Sequence, residues 1–321
     1  MKRRFLITDH DFANVDMELD LYRDAGMDVA TAQCRTEAEV IEAARGCDGL
    51  LVQYAPVNAK VFAARPEIRI ASRYGAGYDT INVEDARRFG VWVANAPAYG
   101  VGEVATHALA MLLSIHRHLP QYDRDVRDGR WHFTTPGKIR RASELTLGIL
   151  GLGRIGKRMA AISQACFRRV LACDPYIDKR DFPAGVERVD FDTLFGEADA
   201  VSLHLPLNDE TRGIVGESAL ALMKAGSVLV NTARGGVVDL DALLAALDSG
   251  RLDGAALDVL PVEPPAPGHA VLRHPRVLLS PHAAFYSSQA EQDLRRQAAQ
   301  NLIDWARTGR PRYVVSEGKA G

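Results

Sequence analysis

Leu147-Gly148-Ile149-Leu150-Gly151-Leu152-Gly153-Arg154-Ile155-Gly156 is an apolar run that leads straight into the pattern G-x-G-x-x-G, and Lys157 to Ala165 then reads as a helix. A glycine pattern alone says little. One placed between a strand and a helix is what dinucleotide binding requires. Gly151 permits the tight turn, Gly153 lets backbone approach a pyrophosphate, and Gly156 lets helix pack on strand. The pyrophosphate would rest on the unpaired N–H groups and positive dipole end of that helix. A second apolar run, Val170-Leu171-Ala172-Cys173, ends in Asp174. This acid lies 18 residues beyond Gly156, close to the roughly 20 expected of a ribose-binding carboxylate. A carboxylate there accepts from both ribose hydroxyls and repels a 2′-phosphate, which favours NAD over NADP. A Gly-rich turn followed by a solvated acid is the plain alternative. Strand, helix, second strand and acid in this order speak against it.

The chain has 321 residues, room for two domains of ordinary size. It is 47% hydrophobic and 25% charged, with a net charge of −2. That balance gives no sign of a nucleic-acid or membrane surface. Lys2-Arg3-Arg4 precedes only Phe5 to Ile7 before Asp9, too short an apolar run for a signal peptide. The longest apolar stretch, near Val104 to Ile115, contains Thr106, His107 and Ser114 and is too short to span a bilayer. Cys34, Cys47, Cys166 and Cys173 show no paired metal spacing. They read as buried small hydrophobes or free thiols in a reducing cytosol, so a cytoplasmic protein without a metal is expected.

Before the glycine pattern, short strands alternate with helices. Strands are expected at 5–8, 27–31, 49–53, 68–73 and 91–95, and helices at 17–24, 37–44, 57–64 and 83–89. This alternation means a parallel sheet covered on both faces. Arg73-Tyr74-Gly75-Ala76-Gly77-Tyr78-Asp79 follows the fourth strand, where open α/β sheets bind ligands. Residues 97–102 read as a hinge, 103–118 as a long helix and 123–137 as polar and irregular. A second α/β unit then continues with strands at 170–173, 186–189, 200–203, 227–231, 254–258 and 277–279. Ser288 to Arg307 is a last amphipathic helix that returns to the first domain, which has no closing element of its own.

Three residues follow strand ends in the second unit: Arg234 in Asn231-Thr232-Ala233-Arg234-Gly235-Gly236, Glu263 in Asp258-Val259-Leu260-Pro261-Val262-Glu263-Pro264, and His282 in Ser280-Pro281-His282-Ala283-Ala284-Phe285. An Arg grips a carboxylate by its planar fork. A His transfers the proton that accompanies a hydride. A Glu bonded to it orients the ring and favours its protonated form. Beside NAD, the three suit reduction of a 2-oxo acid or oxidation of a 2-hydroxy acid. Each also has a bland reading: a surface ion pair, a solvated loop acid and a helix cap.

Over nearly its whole length the chain resembles the D-isomer-specific 2-hydroxyacid dehydrogenase family. The motifs that carry the likeness are Gly151 to Gly156 with Asp174, Val201 to Leu207 with Thr211, Asn231 to Asp239, Asp258 to Pro264, and Ser280 to His282. The resemblance implies two doubly wound parallel-sheet domains with a cleft between them. A discontinuous, flavodoxin-like substrate domain would take residues 1–99 and 288–321, and a Rossmann NAD domain residues 100–287. It implies Arg234 as carboxylate and carbonyl clamp, His282 as acid/base and Glu263 as its partner. It implies that Tyr74, Gly75, Ala76 and Gly77 hold the substrate carboxylate through backbone N–H groups. Asp258 would face the nicotinamide, and Leu205, Pro206 and Thr211 would lie around the adenosine half. Arg154, Ile155, Thr232, Ala233, Arg234 and His282 complete the expected cofactor set. Family members are usually homodimers joined through the cofactor domain, with the long helix after Pro97 at the interface.

Two features are closer to the C-terminal-binding-protein branch, whose members act as dehydrogenase-like corepressors. Arg73 precedes the Gly-x-Gly loop, where it would add a second cation for the substrate carboxylate. His282-Ala283-Ala284-Phe285-Tyr286-Ser287 is similar to that branch's His-x-x-Trp-Tyr-Ser, with Phe285 in place of Trp, as a pocket wall or as core. The alternatives to a dehydrogenase are therefore an NADH-sensing corepressor-like binding protein and a phosphite or formate dehydrogenase on the same scaffold. One departure is structural: where the family often has Gly after the fingerprint helix, this chain reads Ala165-Cys166-Phe167-Arg168-Arg169. Phe167 must turn differently or accept strain.

Overall fold

The structure, a computed structural model, describes residues 2–319. The strands in chain order are β1 (Arg4–Ile7), β2 (Asp28–Thr31), β3 (Gly49–Val52), β4 (Ile70–Arg73), β5 (Trp92–Ala94), β6 (Thr146–Leu150), β7 (Arg169–Cys173), β8 (Val186–Arg188), β9 (Ala200–Leu203), β10 (Ser227–Asn231), β11 (Leu252–Leu257), β12 (Val277–Leu279) and β13 (Val314–Ser316). They form two compact units. One is built from the residues up to Gly100 and those from Ser287 onward, the other from Val101–Tyr286.

The first unit has the sheet order β13-β5-β4-β3-β1-β2, parallel apart from β13. This is the flavodoxin-like order with an antiparallel strand added at one edge. β3 is buried at all four positions, because a parallel strand covered on both faces meets no water. Helix starts follow local capping chemistry. Thr36 and Glu39 form a capping box, and the side chains of Asn58 and Asn82 accept from the first-turn N–H groups of the helices Ala59–Ala64 and Val83–Phe89. The last helix, Ser288–Thr308, packs on the helix Asp16–Asp24 and on β3 and β4. It closes this unit.

The second unit has the order β12-β11-β10-β9-β6-β7-β8, all parallel. The chain runs outward from β6 through β7 to β8, then crosses back to β9. The order therefore reverses between β6 and β9, and ligands bind outside the carboxyl ends of such a pair. β6 and β10 are buried at every position. One apolar layer on this sheet gathers Leu171, Phe195 and Leu243; another gathers Leu112, Leu147 and Met159.

Two elements differ from expectation, and at Phe167 the chain takes the first of its two expected alternatives. The stretch expected to be irregular begins with a helix, Leu119–Arg127, whose Pro120 sits in the first turn where proline is tolerated. Its polarity hid it: Arg127 pairs with Asp123 one turn back. β13 was not expected: it pairs antiparallel with β5 at the sheet edge, far from it in sequence. Phe167 takes no left-handed conformation; Cys166 and Phe167 both donate their N–H to the Ser163 carbonyl, and the ring is buried. The four cysteines are free thiols. Among the described residues, no helix is long and apolar enough to cross a membrane.

Candidate active site and cofactor cleft

The glycine turn sits at the end of β6. Gly151 has φ +90° and donates its N–H to the Cys173 carbonyl at 2.9 Å. A Cβ there would strike the His204 carbonyl, and one on Gly156 would strike the Gly151 carbonyl. Backbone thus packs on backbone at both points, which only glycine allows. Gly153, by contrast, has open space where a side chain would be. It caps the helix Arg154–Ser163 without any side-chain acceptor, which leaves that helix start open to an anion. Arg154 is exposed beside it and Ile155 packs inward. Replacing Gly156 by Ala is expected to abolish NADH binding in a fluorescence titration, because the helix cannot approach the turn. Retained binding would contradict this packing.

A cleft of about 1050 Å³ opens at the switch point, lined by Gly151, Gly153, Asp174, Leu205, Pro206 and Thr211 among others. The Asp174 carboxylate accepts from the Leu152 N–H at 2.8 Å and the Tyr176 N–H at 3.0 Å, which fixes its charge at the cleft. Thr211 closes its own turn, its hydroxyl donating to the Pro206 carbonyl at 2.7 Å. Thr232, after β10, is buried, and its hydroxyl has no hydrogen-bond partner among the described residues. An orphaned buried hydroxyl, an uncapped helix start and a glycine cradle together fit a dinucleotide.

His282 and Glu263 meet directly. The imidazole Nδ1 lies 2.7 Å from Glu263 Oε2, so Nδ1 carries the proton and Nε2 is the nitrogen left to exchange one. The other carboxylate oxygen, Oε1, accepts from the Leu260 N–H at 2.9 Å. Burial pushes Glu263 up. The bonds from His282 and Leu260, with the charges of His282 and Arg234, outweigh it and hold the carboxyl below its ordinary value. His282 itself is left-handed, with φ 54°, a conformation rare for a residue with a side chain.

Asp258 explains how that conformation holds. Its carbonyl accepts the His282 N–H at 2.8 Å. Its carboxylate accepts from Ser280 Oγ, the Ala283 N–H and the Ala284 N–H at 2.5, 2.9 and 3.0 Å. His107 lies 3.0 Å behind Ser280 Oγ. Asp258 was expected to face the nicotinamide. It is 2% exposed, and its carboxylate lies under the histidine loop, which it holds.

Arg234 follows β10 in extended conformation. Asn231 shapes this turn from the strand end, its Oδ1 accepting from the Ala233 N–H at 3.0 Å and its Nδ2 donating to the Arg234 carbonyl at 2.9 Å. It was missed as a site residue, although an amide at a strand end is a turn signal. A Cβ on Gly235 would overlap the Leu260 carbonyl, so the arginine turn lies directly on the Leu260–Pro261 peptide ahead of Glu263. Phe285 lies just beyond the histidine, its ring edge-on to Tyr286.

In the first unit, the loop after β4 has its own order. Gly75 and Ala76 give their carbonyls to the Ala96 N–H at 2.9 Å and to Asn95 Nδ2 at 2.6 Å. N–H and C=O point oppositely across a trans peptide. The Ala76 N–H therefore faces away from Ala96 and the Gly77 N–H away from Asn95, and neither donates to a protein acceptor among the described residues. Tyr74 and Gly75 were expected to offer theirs as well, but they donate to Val52 at 2.8 Å and to Arg73 at 3.0 Å. The Arg73 guanidinium occupies the space where residue 75 would carry a side chain.

Residues 109–284 match the family description D-isomer specific 2-hydroxyacid dehydrogenase, NAD binding domain. A glyoxylate reductase of Korarchaeum cryptofilum is 37% identical over 306 residues, 94% of this chain and 90% of that protein. A D-3-phosphoglycerate dehydrogenase of Archaeoglobus fulgidus is 34% identical over 90% of this chain, which spans 55% of that relative's length. The crystal structure of an NADPH-dependent glyoxylate/hydroxypyruvate reductase from Sinorhizobium meliloti, in complex with NADP and malonate, superposes with a TM-score of 0.89 at 27% identity over all of both chains. The chain thus belongs to the D-isomer specific 2-hydroxyacid dehydrogenases, NAD-dependent oxidoreductases that act on CH–OH donors.

Proposed function

We propose that the protein interconverts a small 2-oxo acid and the D-2-hydroxy acid, with His282 as acid/base, Glu263 as its partner and Arg234 as clamp. The observation that carries this reading is the 2.7 Å bond from His282 to Glu263 on a loop against which the Arg234 turn is packed. Bound NADH supplies the hydride for C2. His282 delivers a proton from Nε2 to the carbonyl oxygen, and Glu263 holds the ring through Nδ1. Arg234 steadies the carboxylate and the charge that grows on the carbonyl oxygen. Ala76 and Gly77 present N–H groups to the carboxylate, with Arg73 as a further cation and Phe285 as an apolar wall. On this reading the unit from Val101 to Tyr286 is the cofactor domain and the other the substrate domain.

The fixed charge of Asp174 supports NAD over NADP, because a 2′-phosphate would meet it. Exposed Leu119, Val126, Trp131 and Phe133 support a homodimer through the cofactor unit, since large apolar side chains clustered on one segment ask for cover. Four free thiols suit a cytoplasmic location.

The test is loss of NADH absorbance with glyoxylate, hydroxypyruvate, pyruvate, phenylpyruvate and 2-oxoglutarate, each repeated with NADPH. Turnover with at least one acid is expected, and with NADH well ahead of NADPH. Asp174→Ala should narrow that gap about tenfold or more, as removal of a close like charge implies. Silence on every acid with NADH still bound would favour the NADH-sensing, corepressor-like alternative. Activity on formate or phosphite alone would move the protein to that branch.

A further inference from the structure

Behind the carboxylate loop lies a buried ion pair with no place in the chemistry above. Glu18, on the helix Asp16–Asp24, is fully buried, and the Arg295 side chain on the last helix is only 9% exposed. The guanidinium grips the carboxylate by two bonds, Nε to Oε1 at 2.8 Å and Nη2 to Oε2 at 2.7 Å. Nη2 also donates to the Asn14 carbonyl at 2.8 Å, and the fork stacks over the Phe12 ring at 5.0 Å. Glu18 Oε1 accepts one more bond, from the Tyr74 hydroxyl at 2.9 Å. The Tyr74 ring stands edge-on to Phe12, 5.2 Å between centroids.

Such a pair adds little net stability compared with apolar residues of the same shape, because both charges leave water. Its strength is geometric: two parallel bonds from a planar fork fix the carboxylate, and the carboxylate fixes whatever else it holds. Here that is Tyr74, the residue that opens the loop. Pinned at its ring tip by Glu18 and at its N–H by Val52, Tyr74 sets where Gly75 to Gly77 begin.

We propose that Arg295, acting through Glu18 and the Tyr74 hydroxyl, is a positioning residue that aims the Ala76 and Gly77 N–H groups at the substrate carboxylate. The inference rests on the loop's role in the function proposed above. Arg295 touches no reacting atom. Its effect falls on how well the acid is held, and not on cofactor binding or on the proton transfer.

Tyr74→Phe removes one hydroxyl and leaves the ion pair intact. Arg295→Lys keeps the charge and loses the fork. Both are measured with the 2-oxo acid of highest kcat/KM in the panel, beside NADH affinity by fluorescence and thermal midpoint. Each should raise KM about tenfold, as small displacements of a binding group do, with kcat within about threefold and NADH affinity unchanged. Ala76→Pro deletes one loop N–H and serves as reference. If Ala76→Pro raises KM and neither of the other variants does, the inference falls and the loop's role stands. If Ala76→Pro leaves KM unchanged, the loop's role falls and the inference with it. A loss shared equally by kcat, KM and NADH affinity would mean a merely structural pair, and would also overturn the inference. Tyr74→Phe decides the matter should the lysine variant fail to fold.

Discussion

Replacing His282 by Asn is expected to lower kcat for 2-oxo acid reduction by roughly 10²–10⁴-fold, the usual worth of a placed acid or base. NADH affinity should barely move. Asparagine suits this position better than alanine, because the backbone here is left-handed, at φ 54°, and asparagine tolerates that region. The variant therefore removes proton transfer without disturbing the clamp of Asp258 around the loop. Unchanged turnover would sink the acid/base assignment. A pH profile adds a second check. Because Glu263 is held below the ordinary carboxylate value, its charge persists as pH falls through that range. Reductive turnover should accordingly hold there and fail only lower, when Glu263 at last takes a proton. In Glu263→Gln that limb should be missing, and turnover should be lower by about one to two powers of ten, since a partner contributes less than the group it orients.

The second large effect belongs to Arg234. Arg234→Lys should cut kcat/KM for the 2-oxo acid by about 10²–10³-fold, the loss typical when one preorganised donor leaves a developing oxyanion. Lysine keeps the charge, so a purely electrostatic role predicts near-normal rates, whereas a planar clamp does not. Steady-state kinetics separate the two, and the thermal midpoint serves as the control for folding. The turn that carries Arg234 rests on the Leu260–Pro261 peptide through Gly235, so the charge is both near Glu263 and held there by backbone.

Much of this was legible from residues alone, and for a physical reason. Gly151 and Gly156 announce themselves because no other residue survives backbone packed on backbone. Asp174, Arg234, Glu263 and His282 stand at strand ends, and strand ends are readable from apolar runs. The helix Leu119–Arg127 was missed because four of its nine residues are charged and its apolar face is sparse, only Leu119, Tyr122 and Val126. Asp258 was placed at its strand end, but what its carboxylate holds was not readable. A sequence gives an acid's position, while the donors that claim it, here Ser280, Ala283 and Ala284, come from another strand end. The same limit applied to the loop after β4. Its glycines were plain, but which N–H groups remain for a ligand depended on Asn95, Ala96 and Val52. Arg295 lies 277 positions from Glu18, and no local pattern links them.

That separation also bears on how the chain is made. Glu18 emerges from the ribosome long before the arginine that neutralises it. At about 5–20 residues per second, the delay is roughly 15–55 seconds. During that interval the N-terminal strands and helices exist without their closing helix, and an acid meant for the interior has no cation. The contiguous stretch from Val101 to Tyr286, whose strands pair only among themselves, is complete while the N-terminal part still waits. The order of synthesis is thus the reverse of the order of completion: the half that begins first is the last to become native.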